Sequence, residues 1–178
     1  MSIDPATVRA GLDEVRARLA AAGRDPDEVT VVAVTKGFGV EAVTAALAAG
    51  ATHIGENYAQ ELVAKAAELP AQAAPVWHFI GGLQTNKVRS LAPLVDLWET
   101  VDRPSLGAEL ARRAPGARVL VQVNVSGEAG RPGCEPPAAG DLVAELGERG
   151  LVVAGLMGVA GAGDLDRARA EFALLAGL

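Results

Sequence analysis

Lys36 is the side chain best placed for chemistry. It follows Val29-Thr30-Val31-Val32-Ala33-Val34-Thr35, a β-branched run apolar almost throughout, which reads as a strand buried on both faces. An ammonium at the end of such a strand loses hydration, which favours the neutral amine that attacks carbonyl carbon to form a Schiff base. On position alone, a lysine that marks the strand end and reaches solvent is the plainer reading. Composition adds a second signal: of 16 basic residues only Lys36, Lys65 and Lys87 are lysines, and the rest are arginines. A chain that meets its surface charge with arginine keeps a lysine where a primary amine is needed, because a guanidinium cannot replace it. Lys65, among Ala64, Ala66 and Ala67, reads instead as part of a solvated helix face.

Other candidates are weaker on spacing alone. Gly55-Glu56-Asn57-Tyr58 offers a carboxylate and an amide that could orient a polar ligand, and Asn57 equally fits a helix N-cap. His78 lies between Trp77 and Phe79 in an apolar strand, where a core histidine with a satisfied hydrogen bond is the plainer reading. His53, His78 and Cys134 lack metal-ligand spacing. Gly81-Gly82-Leu83-Gln84-Thr85-Asn86-Lys87 is a strand-to-helix turn with amide donors and one cation, without Walker order. Gly158-Val159-Ala160-Gly161-Ala162-Gly163 lacks both dinucleotide and P-loop order, and Asp164 beside it would repel an anion, so it reads as a flexible connection.

The elements that must position these residues alternate strictly. Asp4 as N-cap, Pro5 at the first helical position and Val8, Leu12, Val15 and Leu19 at helical spacing give a first helix stopped near Gly23. Strands are predicted at 29–35, 52–55, 76–80, 95–101, 118–125 and 151–157. Helices follow at 40–49, 58–69 and 85–92, then around Leu106 and Leu110, around Leu142 and Leu146, and from Asp164. Six β-α units imply a parallel sheet flanked by helices, either doubly wound or a β/α barrel. In both, functional groups gather at the carboxyl ends of the strands. Thr35-Lys36, Glu56-Asn57, Gly81-Gly82, Asn124 and Met157-Gly158 all fall there.

Composition excludes several classes. A net charge of −6 opposes a nucleic-acid footprint. The N-terminus carries Asp4, Asp13 and Glu14 where a signal peptide needs basic and apolar segments, and no run approaches the roughly 18 apolar residues of a membrane span. One cysteine, Cys134, forms no internal disulfide. Together these predict a cytoplasmic globular protein with no nucleic-acid or membrane partner.

The ordered set Ala33-Val34-Thr35-Lys36, Gly55-Glu56-Asn57-Tyr58, Trp77 through Lys87, Val123-Asn124-Val125-Ser126-Gly127-Glu128 and Gly155-Leu156-Met157 resembles the pyridoxal-phosphate homeostasis proteins (the YggS/PROSC family), which look like the barrel domain of alanine racemases. The resemblance covers essentially the whole chain. It implies an α/β fold, an alanine-racemase-like TIM (β/α) barrel, with residues 1–178 as a single domain of about six β/α units lacking the last two. It also implies pyridoxal 5'-phosphate held as a Schiff base on Lys36, with Asn57, His78, Asn124 and Met157 around the cofactor or in its supporting shell. No catalytic residue and no metal are implied. Such proteins bind, buffer and deliver the cofactor, with transfer to apo-enzymes that use it. Two departures stand out. The family pattern carries a lysine two residues before a glycine where this chain has Arg131, which keeps charge but cannot take up an aldehyde. The family also continues with phosphate-gripping segments after the sixth unit, so these 178 residues are expected to hold the cofactor weakly and to be poorly soluble unless they dimerise. The rival reading is a racemase-like enzyme on the same barrel, against which stands the single tyrosine, Tyr58. A cofactor-free Schiff-base aldolase is a third possibility.

Overall fold

A computed structural model describes residues 3–178. The strands are β1 (Val32–Val34), β2 (His53–Glu56), β3 (Val76–Phe79), β4 (Leu97–Val101), β5 (Arg118–Val123) and β6 (Val152–Gly158). The helices are α1 (Pro5–Ala21), α2 (Val40–Ala48), α3 (Ala59–Glu68), α4 (Val88–Leu91), α5 (Pro104–Arg113), α6 (Ala139–Glu148) and α7 (Leu165–Ala176). The sheet order is β1-β2-β3-β4-β5-β6, and the described pairs β1–β2, β4–β5 and β5–β6 are all parallel. Sequential order has no point where the winding reverses, which distinguishes a barrel-type sheet from a doubly wound one. The chain divides into two compact units, one ending at His78 and the other spanning Phe79–Leu178.

In the first unit, Asp4 caps α1 by accepting from the Ala6 N–H at 3.0 Å, with Pro5 at the first helical position. Its apolar stripe is covered only in part: Val8, Leu12 and Leu19 are half-buried and Val15 is exposed. The core lies between the sheet and the next two helices, where Val43, Ala45 and Ala46 of α2, Ile54 of β2 and Leu62 of α3 are buried.

The first strand differs from its expectation. β1 has three residues rather than seven, and Val34 is 48% exposed. It lies at the edge of the sheet, paired on one side by β2, so the expected burial on both faces does not occur.

In the second unit, Phe79, Trp98, Leu106, Leu110, Val119, Val121 and Leu146 form the core. The Phe79 and Trp98 rings meet at 6.3 Å between centroids. β6 carries a bulge: Val153 pairs with Val119 and Gly155 with Leu120, leaving Ala154 as the extra residue. Gly155 has φ 147°, which a side chain would resist. The bulge restores pairing so that Met157 stands opposite Gln122.

The α5–α6 contact makes a testable demand. A Cβ on Gly107 would fall 2.1 Å from Cδ2 of the fully buried Leu146, whereas nothing lies within 4 Å of one on Gly147. Gly107→Ala is expected to lose about 1–3 kcal/mol by overpacking. Gly147→Ala is expected to gain about 0.5–1 kcal/mol by helix propensity. Urea unfolding of both variants checks the opposite signs.

Candidate functional site

Lys36 occupies the second position of a four-residue turn, Thr35–Phe38, closed by the Phe38 N–H donating to the Thr35 carbonyl at 3.2 Å. Gly37 at the third position has φ 77°, the left-handed geometry that this turn pattern reserves for glycine. The Lys36 side chain is exposed, and among the described residues it has no hydrogen-bond or ion-pair partner. Neither of the two cavities described in the first unit is lined by it; the one of about 210 Å³ sits around Arg16, Asp27 and His53 at the amino ends of the strands. Expected dehydration of the amine is therefore not what the first unit provides, because an edge strand with an open face leads directly into the turn.

What the first unit provides is a fixed backbone. Thr35 is buried and its N–H donates to the Gly55 carbonyl at 3.1 Å. Its hydroxyl donates to Glu56 Oε1 at 2.6 Å, and its carbonyl accepts from Lys65 Nζ at 2.8 Å. Lys65 Nζ also donates to Glu56 Oε1, and approaches Glu61 Oε2 at 3.5 Å. Glu61 Oε2 in turn accepts from the Gly37 N–H at 2.8 Å. The residues on both sides of Lys36 are thus bonded to one Glu56–Lys65–Glu61 cluster.

Lys65 corrects the solvated reading: it is 4% exposed, and Glu56 is wholly buried. The surrounding alanines suggested a solvated face, but the helical stripe Leu62, Lys65 and Leu69 places Lys65 three residues beyond a core leucine. That spacing, with Glu61 one turn earlier, is the signal that finds it in sequence. Removing one member of a buried ion pair strands the other charge and costs about 3–5 kcal/mol. Among the described residues Glu56 Oε2 has no hydrogen-bond partner, and the carboxylate bonds through Oε1 to the turn and to Lys65.

Asn57 follows β2 and is half-buried, but it is not the helix cap; Tyr58 holds that position without a side-chain cap bond. Lys36 and Asn57 therefore both follow the carboxyl ends of adjacent strands, paired through Val34 and Gly55. His78 is buried, and its Nε2 lies 2.8 Å from Nδ1 of His53, one ring nitrogen donating and the other accepting. Strand alternation puts His53 and Gly55 on one face with Val32 and Val34 of β1. His78 joins that face through its contact with His53.

In the second unit, Asn124 immediately follows β5 and is buried. Its amide Nδ2 donates to the Glu128 carbonyl at 3.0 Å, and its Oδ1 accepts from the Ser126 hydroxyl at 2.9 Å. Both ends of the amide thus shape the 124–128 loop. Met157 is half-buried opposite Gln122, and alternation carries Asn124 to the face that Gln122 and Met157 share.

The Gly-rich loop after β6 is better held than expected. The Gly161 N–H donates to Glu171 Oε2 at 2.6 Å, and Arg167 donates to the Ala162 carbonyl at 3.2 Å. Arg167 also bonds Glu171 and Glu128, and Arg131 bonds Glu128 from the other side. A carboxylate already takes the Gly161 amide.

Comparisons with known proteins follow this geometry. The family model described as alanine racemase, N-terminal domain, matches residues 3–177. The pyridoxal phosphate homeostasis protein of Pseudomonas aeruginosa is 40% identical over 164 residues, 86% of this chain and 70% of that protein. The protein of the same name from Escherichia coli K12 is 34% identical over 142 residues, 76% of this chain and 61% of that protein. PipY of Synechococcus elongatus, at 30% identity, covers 96% of this chain and 79% of its own. Its TM-score is 0.84 without PLP and 0.78 with PLP bound. Alanine racemase from Bacillus anthracis, at 17% identity and TM-score 0.73, shares the fold.

The Glu171 contact sets a pH dependence. The Gly161 N–H, and then Arg167, hold the Glu171 carboxyl below the usual glutamate range. A carboxyl with a depressed folded-state pKa stabilises the fold above its unfolded pKa, and that contribution is lost as pH falls through the folded value. Protection of the Gly161 amide against hydrogen exchange is expected to persist through the ordinary glutamate range and to vanish only at lower pH. In Glu171→Ala it is expected to be absent throughout.

Proposed function

The chain belongs to the pyridoxal phosphate homeostasis proteins, within the family of alanine racemase N-terminal domains, and from that membership we propose that it binds pyridoxal 5'-phosphate through Lys36 without turning over a substrate. The observation that carries the reading is an exposed, unpartnered lysine amine on a turn whose two flanking residues are hydrogen-bonded to a buried charge cluster. Pyridoxal phosphate, when bound, would supply an aldehyde, the group with which the Lys36 primary amine can condense. The chain's own residues fit the aldehyde end of that group. Lys65 is tied into the buried cluster and Lys87 is half-buried, so among the described lysines Lys36 is the exposed one.

Around it, Asn57 contributes a half-buried amide, and Tyr58 an exposed ring. In the same unit His78 is a supporting residue held by His53. In the second unit Asn124 shapes the loop after β5, and Met157 stands opposite Gln122. Arg131 acts through its ion pair with Glu128 and takes up no aldehyde. Holding the cofactor by a reversible bond at an exposed turn suits storage in the cytoplasm and release to apo-enzymes. Among the described residues no helix is long and apolar enough to cross a membrane. Racemisation needs acid-base groups on both faces of the reacting centre, and the one tyrosine is 54% exposed on the α3 cap.

Borohydride reduction after incubation with pyridoxal phosphate, followed by peptide mapping, tests the assignment. The label is expected on Lys36 and is expected to disappear in Lys36→Ala. Undiminished labelling in that variant contradicts it.

A further inference from the structure

Resting on the Lys36 reading, we propose that Glu61 and Lys65 are positioning residues that set the approach of the Lys36 amine by clamping the peptide units on either side of it. Lys36 itself receives none of the cluster's bonds. Thr35 before it is held at three points by neighbouring elements: its N–H by Gly55, its hydroxyl by Glu56 and its carbonyl by Lys65. Gly37 after it is held through its N–H by Glu61. One helix, α3, supplies both Glu61 and Lys65, one turn apart, so a single rigid element sets the backbone on both sides of the reactive side chain.

The chemistry of the cluster favours positioning over bulk stability. Apolar residues of similar volume commonly stabilise a core as well as a buried ion pair or better, and in some proteins such a pair serves instead to fix one conformation. Here the Glu56 carboxylate leaves Oε2 unpartnered and directs Oε1 at Thr35 and Lys65. An exposed lysine otherwise samples many rotamers, and the attack angle on an aldehyde depends on where its backbone is held. The cluster places that backbone from beneath and leaves the amine open.

The test uses the full chain with pyridoxal phosphate. It reads the rate of adduct formation in the visible spectrum, the induced circular dichroism of the bound chromophore, the borohydride-labelled peptide and the melting temperature. Glu61→Ala removes the acceptor of the Gly37 N–H from a partly exposed position, and Glu61→Gln restores an acceptor without the charge. Lys65→Met alone would strand Glu56, so the Lys65 arm uses Lys65→Met with Glu56→Gln. The expected result is a label on Lys36 in every form, formed roughly ten- to a hundredfold more slowly in Glu61→Ala and in the Lys65/Glu56 pair. Both are expected to lose the induced dichroism, and Glu61→Gln to recover rate and dichroism. A change in melting temperature alone, with rate and dichroism unmoved in either arm, overturns the inference and leaves the Lys36 assignment standing. Failure of Glu61→Gln to recover overturns the Gly37 hydrogen bond as the cause. A wild-type label on another lysine overturns the Lys36 assignment, and this inference with it.

Discussion

The Lys65 ammonium is buried against the Glu56 carboxylate, and the turn that carries Lys36 is bonded to that pair. Taking two charges out of water costs several kcal/mol per ion unless each finds good partners. The partners here are drawn from three consecutive pieces of chain: Thr35 and Gly37 after β1, Glu56 at the end of β2, and Glu61 with Lys65 on α3. The folding of the first unit and the geometry of its reactive turn are therefore one problem. The sheet–helix core around Ile54 and Leu62 must close before the pair is shielded, and the shielded pair then determines where residues 35–37 lie.

The second unit solves a similar problem by a different route. Its loops after β5 and β6 are joined by a network, Arg131–Glu128–Arg167–Glu171, exposed except at the buried Glu171, whose carboxylate also takes the Gly161 amide. The exposed Glu128 pairs contribute little individually, so they set loop shape more than they set stability. Arg131 has a structural task as a partner of Glu128. Gly133 confirms how tightly this region is built: its φ is 123°, and a Cβ there would fall 2.4 Å from the Asn124 backbone nitrogen.

Much of this was legible in the residues, and the exceptions have physical causes. The Asp4 cap, the Pro5 start, the last helix beginning at Asp164 and the β-α alternation depend on local rules, and the structure follows them. The boundaries that moved did so where tertiary context decides: β1 shrank to three residues at a sheet edge, and the helix expected at 85–92 begins as a 3-10 turn over Thr85–Lys87. The ordered motifs pointed to the family that the comparisons then showed. The cluster beneath Lys36 was missed because a lysine flanked by alanines looks solvated until its partners, nine and thirty residues away, are placed beside it. The Gly-rich loop looks loose in sequence because nothing local announces that Glu171, ten residues on, accepts the Gly161 N–H.

A double-mutant cycle on Lys65 and Glu56 is the most direct test of the central interaction. Lys65→Met and Glu56→Gln are each expected to lose about 3–5 kcal/mol in urea unfolding, and the double variant markedly less than their sum, because neither leaves a stranded charge once both are neutral. Losses that simply add would contradict the account, for they would mean that the two groups do not act as a unit.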